Sequence, residues 1–201
     1  MNRQSILFVA AIIGVATCFQ IGEAQELVTV NRHLMLKEPL PVVHLRWGDS
    51  VIFPSVFGDR FLLQCSRSTL GKGDSYWAPV DADVEKAEAI FSQYRKLNRP
   101  TAELLLAWPD LRTYHRQVVG VVRGGKKTLY SNFLPSDGIG KDDWRQQPLQ
   151  LCDGGPSYFG VEIDLEASAV AHIDFDGCMC AVVPANKPLQ GTRSKQRASE
   201  R

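Results

Sequence analysis

One stretch of this chain, residues 81 to 97, repeats its apolar residues at helical spacing, and the chain beyond Trp108 reads as strand after strand. In "DADVEKAEAIFSQYRKL" Val84, Ala87, Phe91, Tyr94 and Leu97 share a face with Ile90 beside them, while Glu85, Lys86, Glu88, Gln93 and Lys96 fall largely elsewhere. Asp81 or Asp83 is expected to supply the N-cap and a favourable negative charge at the positive N-terminal end, Arg95 and Lys96 suit the other end, and Pro100 forbids continuation. A second, short helical turn is expected over "TAELLLA", residues 101–107.

The strand signals come as pairs. "HRQVVGVVR" and "KTLYSNF" flank Gly124-Gly125, and "YFGVEIDL" and "AVAHIDFDG" flank "EAS"; each pair reads as a hairpin. "WRQQPLQLC" leads into the turn "DGGPS", and "CAVV" is expected as a last short strand. Upstream, "VTVNRHLML" and "DSVIFPSVFGDRFLLQC" are β-rich. Gly58-Asp59 reads as a turn, and Pro54 sends residues 51–57 to an edge or bulge with 60–65 further in. The pattern predicts an α+β domain: one amphipathic helix, about 81–97, packed on a curved antiparallel sheet. Cystatin-like and similar helix-on-sheet rolls have this order, an analogy of fold that carries no function.

The N-terminus predicts export. A basic start at Arg3 precedes an apolar run of about 14 residues, Ile6 to Phe19, and Gly22 and Ala24 are small residues suited to a signal peptidase. Cleavage after Ala24 makes residues 1–24 a signal peptide and leaves a periplasmic or secreted chain from Gln25. The run is shorter than the 18 to 20 residues a transmembrane helix needs. In a competing reading, "VATC" is an imperfect lipoprotein box and Cys18 carries a lipid anchor, although Thr17 is bulky for that position. Residues 25–183 then form a single domain of ordinary size. The net charge of +1 is unevenly placed: the tail 184–201 carries Lys187, Arg193, Lys195, Arg197 and Arg201 against Glu200. With Arg3 and Glu23 cancelling in the leader, that surplus of +4 leaves the body at −3. A mildly acidic body argues against nucleic acid as a partner.

Cys65, Cys152, Cys178 and Cys180 remain after export, an even number that suggests two disulfides. A bond between Cys178 and Cys180 closes a very small ring, so each is expected to pair with one of Cys65 and Cys152.

Alternation over "YFGVEIDLEASAVAHIDF" puts Phe159, Val161, Ile163 and Leu165 on one strand face and Ala171, Ile173 and Phe175 on the matching face of the next. The opposite face carries Glu162, Asp164, His172, Asp174 and Asp176, with Glu162 directly across from His172. Glu162, His172 and Asp174 have the chemistry of an acid/base pair or a divalent metal site. The plainer reading is the wetted side of a sheet buried on its other side. Tyr114 and Arg116, from "YHRQ", are candidate ligand contacts with Tyr130, Asn132, Trp144 and Arg145 on the sheet's outer side. Asp153 and Ser157 add polar groups in "CDGGPSYFG", a turn able to present backbone N–H groups to an anion.

The sequence has no H-E-x-x-H, G-x-S-x-G, phosphate-binding glycine loop or S-x-x-K. Catalysis therefore has no motif behind it. The expectation is a non-catalytic binding module without cofactor, offering its surface to an envelope protein or small ligand. The alternative is a small exported metal-dependent or hydrolytic enzyme built on Glu162, His172 and Asp174. The tail "PANKPLQGTRSKQRASER" is polar, basic and without apolar periodicity, so it is expected not to fold. Its "NKPLQGTRSKQRA" resembles the tails of bacterial integron gene-cassette proteins, over about 13 residues only. The resemblance implies a mobile bacterial gene and a tail without selected function; it does not extend to the body.

Overall fold

The structure, a computed structural model, describes residues 25–30, 33–98, 108–139 and 143–177. The leader, residues 101–107, "CAVV", Cys178, Cys180 and the basic tail lie outside them.

The α+β reading holds, with one difference in the sheet. Strands β1 (Leu27–Val30) and β2 (His33–Leu36) form a separate antiparallel pair. The main sheet has seven strands: β3 (Val43–Leu45), β4 (Gly48–Ile52), β5 (Ser75–Trp77), β6 (Tyr114–Arg123), β7 (Lys126–Pro135), β8 (Phe159–Asp164) and β9 (Ala169–Phe175). Its order is β3-β4-β6-β7-β8-β9, with β5 on β6 beyond the end of β4. β4 runs parallel to β6, Val51 beside Gln117, so the sheet is mixed rather than antiparallel. The two hairpins stand where alternation and turn residues put them, β6–β7 closing on Gly124-Gly125 and β8–β9 on residues 165–168.

Helix α2 (Asp81–Leu97) lies across one face of the sheet and buries Val84, Ala87 and Phe91. These meet Val118, Leu129, Phe133, Phe159, Val161 and Ile163. Removing each of these side chains larger than alanine from water is worth about 1.5–3 kcal/mol. Two details differ from expectation. The N-cap is Val80, and Asp83 acts from the first turn by accepting the Val80 N–H at 3.0 Å. Leu97 is 74% exposed, because the helical stripe has rotated off the sheet by its last turn.

The expected strand over 60–65 is instead a short helix, α1 (Gly58–Leu62), entered through a 3-10 turn at Ser55–Phe57 that follows Pro54. Phe57 of the turn and Phe61 of α1 pack with Phe53, Val51, Leu36, Leu40, Val119, Val121 and Leu134 in a second core on the sheet's other face. "WRQQPLQLC" likewise forms no strand: it opens with a short helix, α3 (Asp143–Gln146), and continues as irregular chain over that same face. Both faces of the sheet are therefore covered. The expectation of one wet face fails here, and Glu162 and Asp176 are buried at 0% and 1% exposure.

Within β8–β9 the pairing of Glu162 with His172 is found, followed by a bulge that sets Ile163 against Val170. Val170 takes the core side there, and Ala171 is exposed. Cys65 is bonded to Cys152, 87 residues apart, with Cα atoms 5.3 Å from each other. That pairing replaces the expected bonds from Cys65 and Cys152 to Cys178 and Cys180.

Candidate functional site

Alternation along β6 separates the residues of "YHRQ". His115 and Gln117 face the second core with Tyr130, Asn132 and Trp144, as the sequence groups them, but the space is filled. His115 stacks on Trp144 at 4.2 Å between centroids, and Gln117 Nε2 donates to the carbonyls of Trp144 and Gln147 at 2.7 Å. Asn132 Nδ2 donates to Gln117 Oε1 at 3.1 Å and to Leu149 O at 3.0 Å. Arg67 closes the cluster, donating to Asp176 Oδ1 at 2.7 Å, Asn132 Oδ1 at 2.5 Å and Tyr130 Oη at 3.3 Å. Burial pushes the His115 imidazole pKa down and the Tyr130 phenol pKa up.

Glu162, His172 and Asp174 share a face without converging. Arg123 and Thr128 hold the Glu162 carboxylate, the threonine hydroxyl at 2.6 Å. His172 and Asp174 instead meet Ser68, which sequence reasoning missed. Ser68 Oγ donates to Asp174 Oδ2 at 2.6 Å, and His172 Nε2 lies 3.2 Å from the Ser68 carbonyl. Ser68 Oγ is 3.4 Å from the same nitrogen, and in the tautomer that protonates Nε2 this nitrogen donates to the Ser68 carbonyl and has no lone pair for the hydroxyl proton. Burial raises the Asp174 pKa, but the Ser68 hydroxyl and N–H and the Phe175 N–H outweigh it, leaving it below the ordinary value. Among the described residues no group of three or more His, Cys, Asp or Glu side chains is placed to hold a metal ion. Asp153 and Ser157 sit exposed in the turn before β8, Asp153 at φ 59°.

Tyr114 and Arg116 face α2. Arg116 is wholly buried, its Nε 2.6 Å from Glu88 Oε1 and its guanidinium 5.0 Å from the centroid of the Phe133 ring. Its remaining donors reach Trp47 O at 2.8 Å, Tyr114 O at 3.0 Å and Leu111 O at 3.2 Å. One side chain thereby fixes the β3–β4 turn, the start of β6 and the helix.

Above this arginine the turn and the helix leave a cleft of about 410 Å³. Leu45, Arg46 and Trp47 form one wall; Glu85, Glu88, Ala89, Ser92 and Lys96, one stripe of α2, form the other. Arg46 lies over the Trp47 ring at 4.8 Å. Glu88 is 6% exposed, and its Oε2 has no hydrogen-bond partner among the described residues. Burial pushes its carboxyl pKa up against the pull of Arg116, and burial pushes the Arg116 pKa down. The cleft thus combines an aromatic wall, a buried acceptor and a charged rim, the makeup of a small-ligand pocket. The sequence held one signal for it: Glu88 follows Val84 by four residues and precedes Phe91 by three, so a charge sits at the border of the apolar stripe.

Compared with protein-family models, curated proteins and solved structures, the chain matches none.

Proposed function

We propose that this chain is an exported, non-catalytic binding module, and that its ligand seat is the cleft between the β3–β4 turn and α2. The observation that carries the reading is the Glu88 carboxylate, buried beside the cleft with one oxygen paired to Arg116 and the other without a hydrogen-bond partner among the described residues. A buried acceptor without a partner costs roughly 1–3 kcal/mol, and a ligand N–H or O–H offsets that cost. Trp47 and Leu45 suit the apolar body of such a ligand, and Arg46 and Lys96 suit an anionic group at the rim. Export rests on the leader and agrees with the Cys65–Cys152 bond, which persists best in an oxidising compartment.

The test is saturation-transfer NMR on the mature chain with a mixture of free amino acids and small amines, repeated on Ala89→Trp. Ala89 is exposed on the helix wall, so the variant fills the cleft without entering the core. Binding to the parent that disappears in the variant supports the seat. Absence of any binder, or binding that survives the tryptophan, removes it. Envelope fractionation with N-terminal sequencing tests export separately, the expected mature start being Gln25.

A further inference from the structure

The helical wall of the cleft is a single stripe of α2, from Glu85 through Glu88 and Ser92 to Lys96, with Gln93 beside it. At 1.5 Å of rise per residue the stripe runs about 16 Å along the helix, and Glu88 and Lys96 stand about 12 Å apart along its axis. Charge is sorted along that length. Both acids lie toward the N-terminal end of α2, the neutral side chains of Ser92 and Gln93 occupy the middle, and Lys96 lies in the last turn. Glu85 and Lys96 are exposed, and neither has an ion-pair partner among the described residues. Leu45 and Trp47 supply apolar surface from the opposite wall. A ligand that matches this order carries a cation at one end, an anion at the other and an apolar chain between them. The charges of an α-amino acid sit on neighbouring groups and cannot reach both ends of the stripe.

We propose that the ligand of this cleft is an extended amphoteric molecule, an amine and a carboxylate separated by an apolar chain, lying along α2. Its ammonium meets Glu85 and Glu88 Oε2, its carboxylate meets Lys96, and its chain lies against Leu45 and Trp47. This rests on the cleft being the ligand seat and adds the chemical class of what occupies it. The order of charges also works against the wrong ligand: a carboxylate close to the amine falls beside Glu85 and Glu88, where like charges repel.

The experiment is titration calorimetry on the whole chain with two matched pairs, aminobutyrate against butylamine and aminooctanoate against octylamine, each amino acid carrying its amine at the chain end. Comparison within a pair removes the gain that chain length alone brings. The carboxylate should weaken binding in the short pair and strengthen it by about fivefold in the long pair, the worth of an exposed ion pair. That advantage should shrink as salt is added and disappear in Lys96→Gln, a change at an exposed position that leaves the core untouched. A carboxylate that makes no difference in the long pair overturns the proposal, as does an advantage that survives Lys96→Gln. The seat is judged separately. Amine binding that Ala89→Trp abolishes keeps the seat even where the long pair shows no carboxylate effect, whereas no binding by any of the four compounds removes the seat and the proposal together.

Discussion

The Nε of Arg116 lies 2.6 Å from Oε1 of Glu88, with the two side chains 0% and 6% exposed, between a helix and the sheet it covers. Such a pair is a poor source of net stability, since desolvating two charges cancels much of their attraction. Removing one partner is different, because the other stays buried and uncompensated. Glu88→Met or Arg116→Met alone is expected to cost about 3–5 kcal/mol, and the two together far less than the sum of the single losses. Urea melts of the four proteins measure the cycle; additive single losses would show that the pair does not act as a unit.

Glu162 and His172 face each other across β8 and β9 but differ in what holds them. Glu162 is wholly buried on Arg123 and Thr128, whereas His172 meets Ser68 near the surface. Glu162→Ala should therefore destabilise by about 3 kcal/mol or more, leaving Arg123 and Thr128 unsatisfied. His172→Ala should stay within about 0.5 kcal/mol of the parent. Equal losses by chemical denaturation would mean that the two side chains act together after all.

His115 adds a pH dependence. Burial against Trp144 pushes its pKa below the ordinary value of about 6.5, an effect that Asp49 opposes and Arg116 reinforces. The unfolded chain then binds the proton more readily than the folded one. The stabilising contribution is complete above the unfolded pKa and is lost as pH falls through the folded pKa. NMR titration should give a His115 midpoint below 6.5, and His115→Gln should flatten the fall in stability as pH is lowered from 7 to 5. A midpoint at or above 6.5 would contradict the burial.

What was legible beforehand follows the range of the interactions. The α2 stripe and the two hairpins are local patterns, period 3.6 in one case and alternation around Gly124-Gly125 or "EAS" in the other, and both appear where they were expected. "DRFLLQC" folds as a helix where a strand is expected, because a short apolar run has no period to separate the two. The second covered face was invisible for a different reason. Arg67 reaches Asp176 across 109 positions and Arg123 reaches Glu162 across 39, so no window of sequence shows that those carboxylates have buried partners. Arg116 was singled out, but its role in positioning Glu88 and Trp47 exists only once α2, β4 and β6 are packed.

Gly48 is a point where that packing leaves no room for a side chain. It has φ 130°, and a Cβ there would stand 2.6 Å from Arg116 Nη1, 2.8 Å from Tyr114 O and 3.0 Å from Leu111 O, the groups that join the β3–β4 turn to the start of β6. Gly71 offers a control, since its φ of 84° is also unfavourable for a side chain but nothing lies within 4 Å of its would-be Cβ. Gly71→Ala therefore carries the conformational cost alone, on the order of 1–2 kcal/mol. Gly48→Ala adds displacement of a buried guanidinium and should cost at least about 2 kcal/mol more. Its effect should also reach the cleft, because Arg116 holds the Trp47 carbonyl as well as Glu88. Denaturant melts of both variants, with Trp47 indole shifts followed by NMR, test this. The expectation is a large stability loss and a moved Trp47 resonance for Gly48→Ala, and a small loss with an unmoved resonance for Gly71→Ala; similar losses from the two would show that backbone conformation, not the approach of Arg116, sets the requirement for glycine.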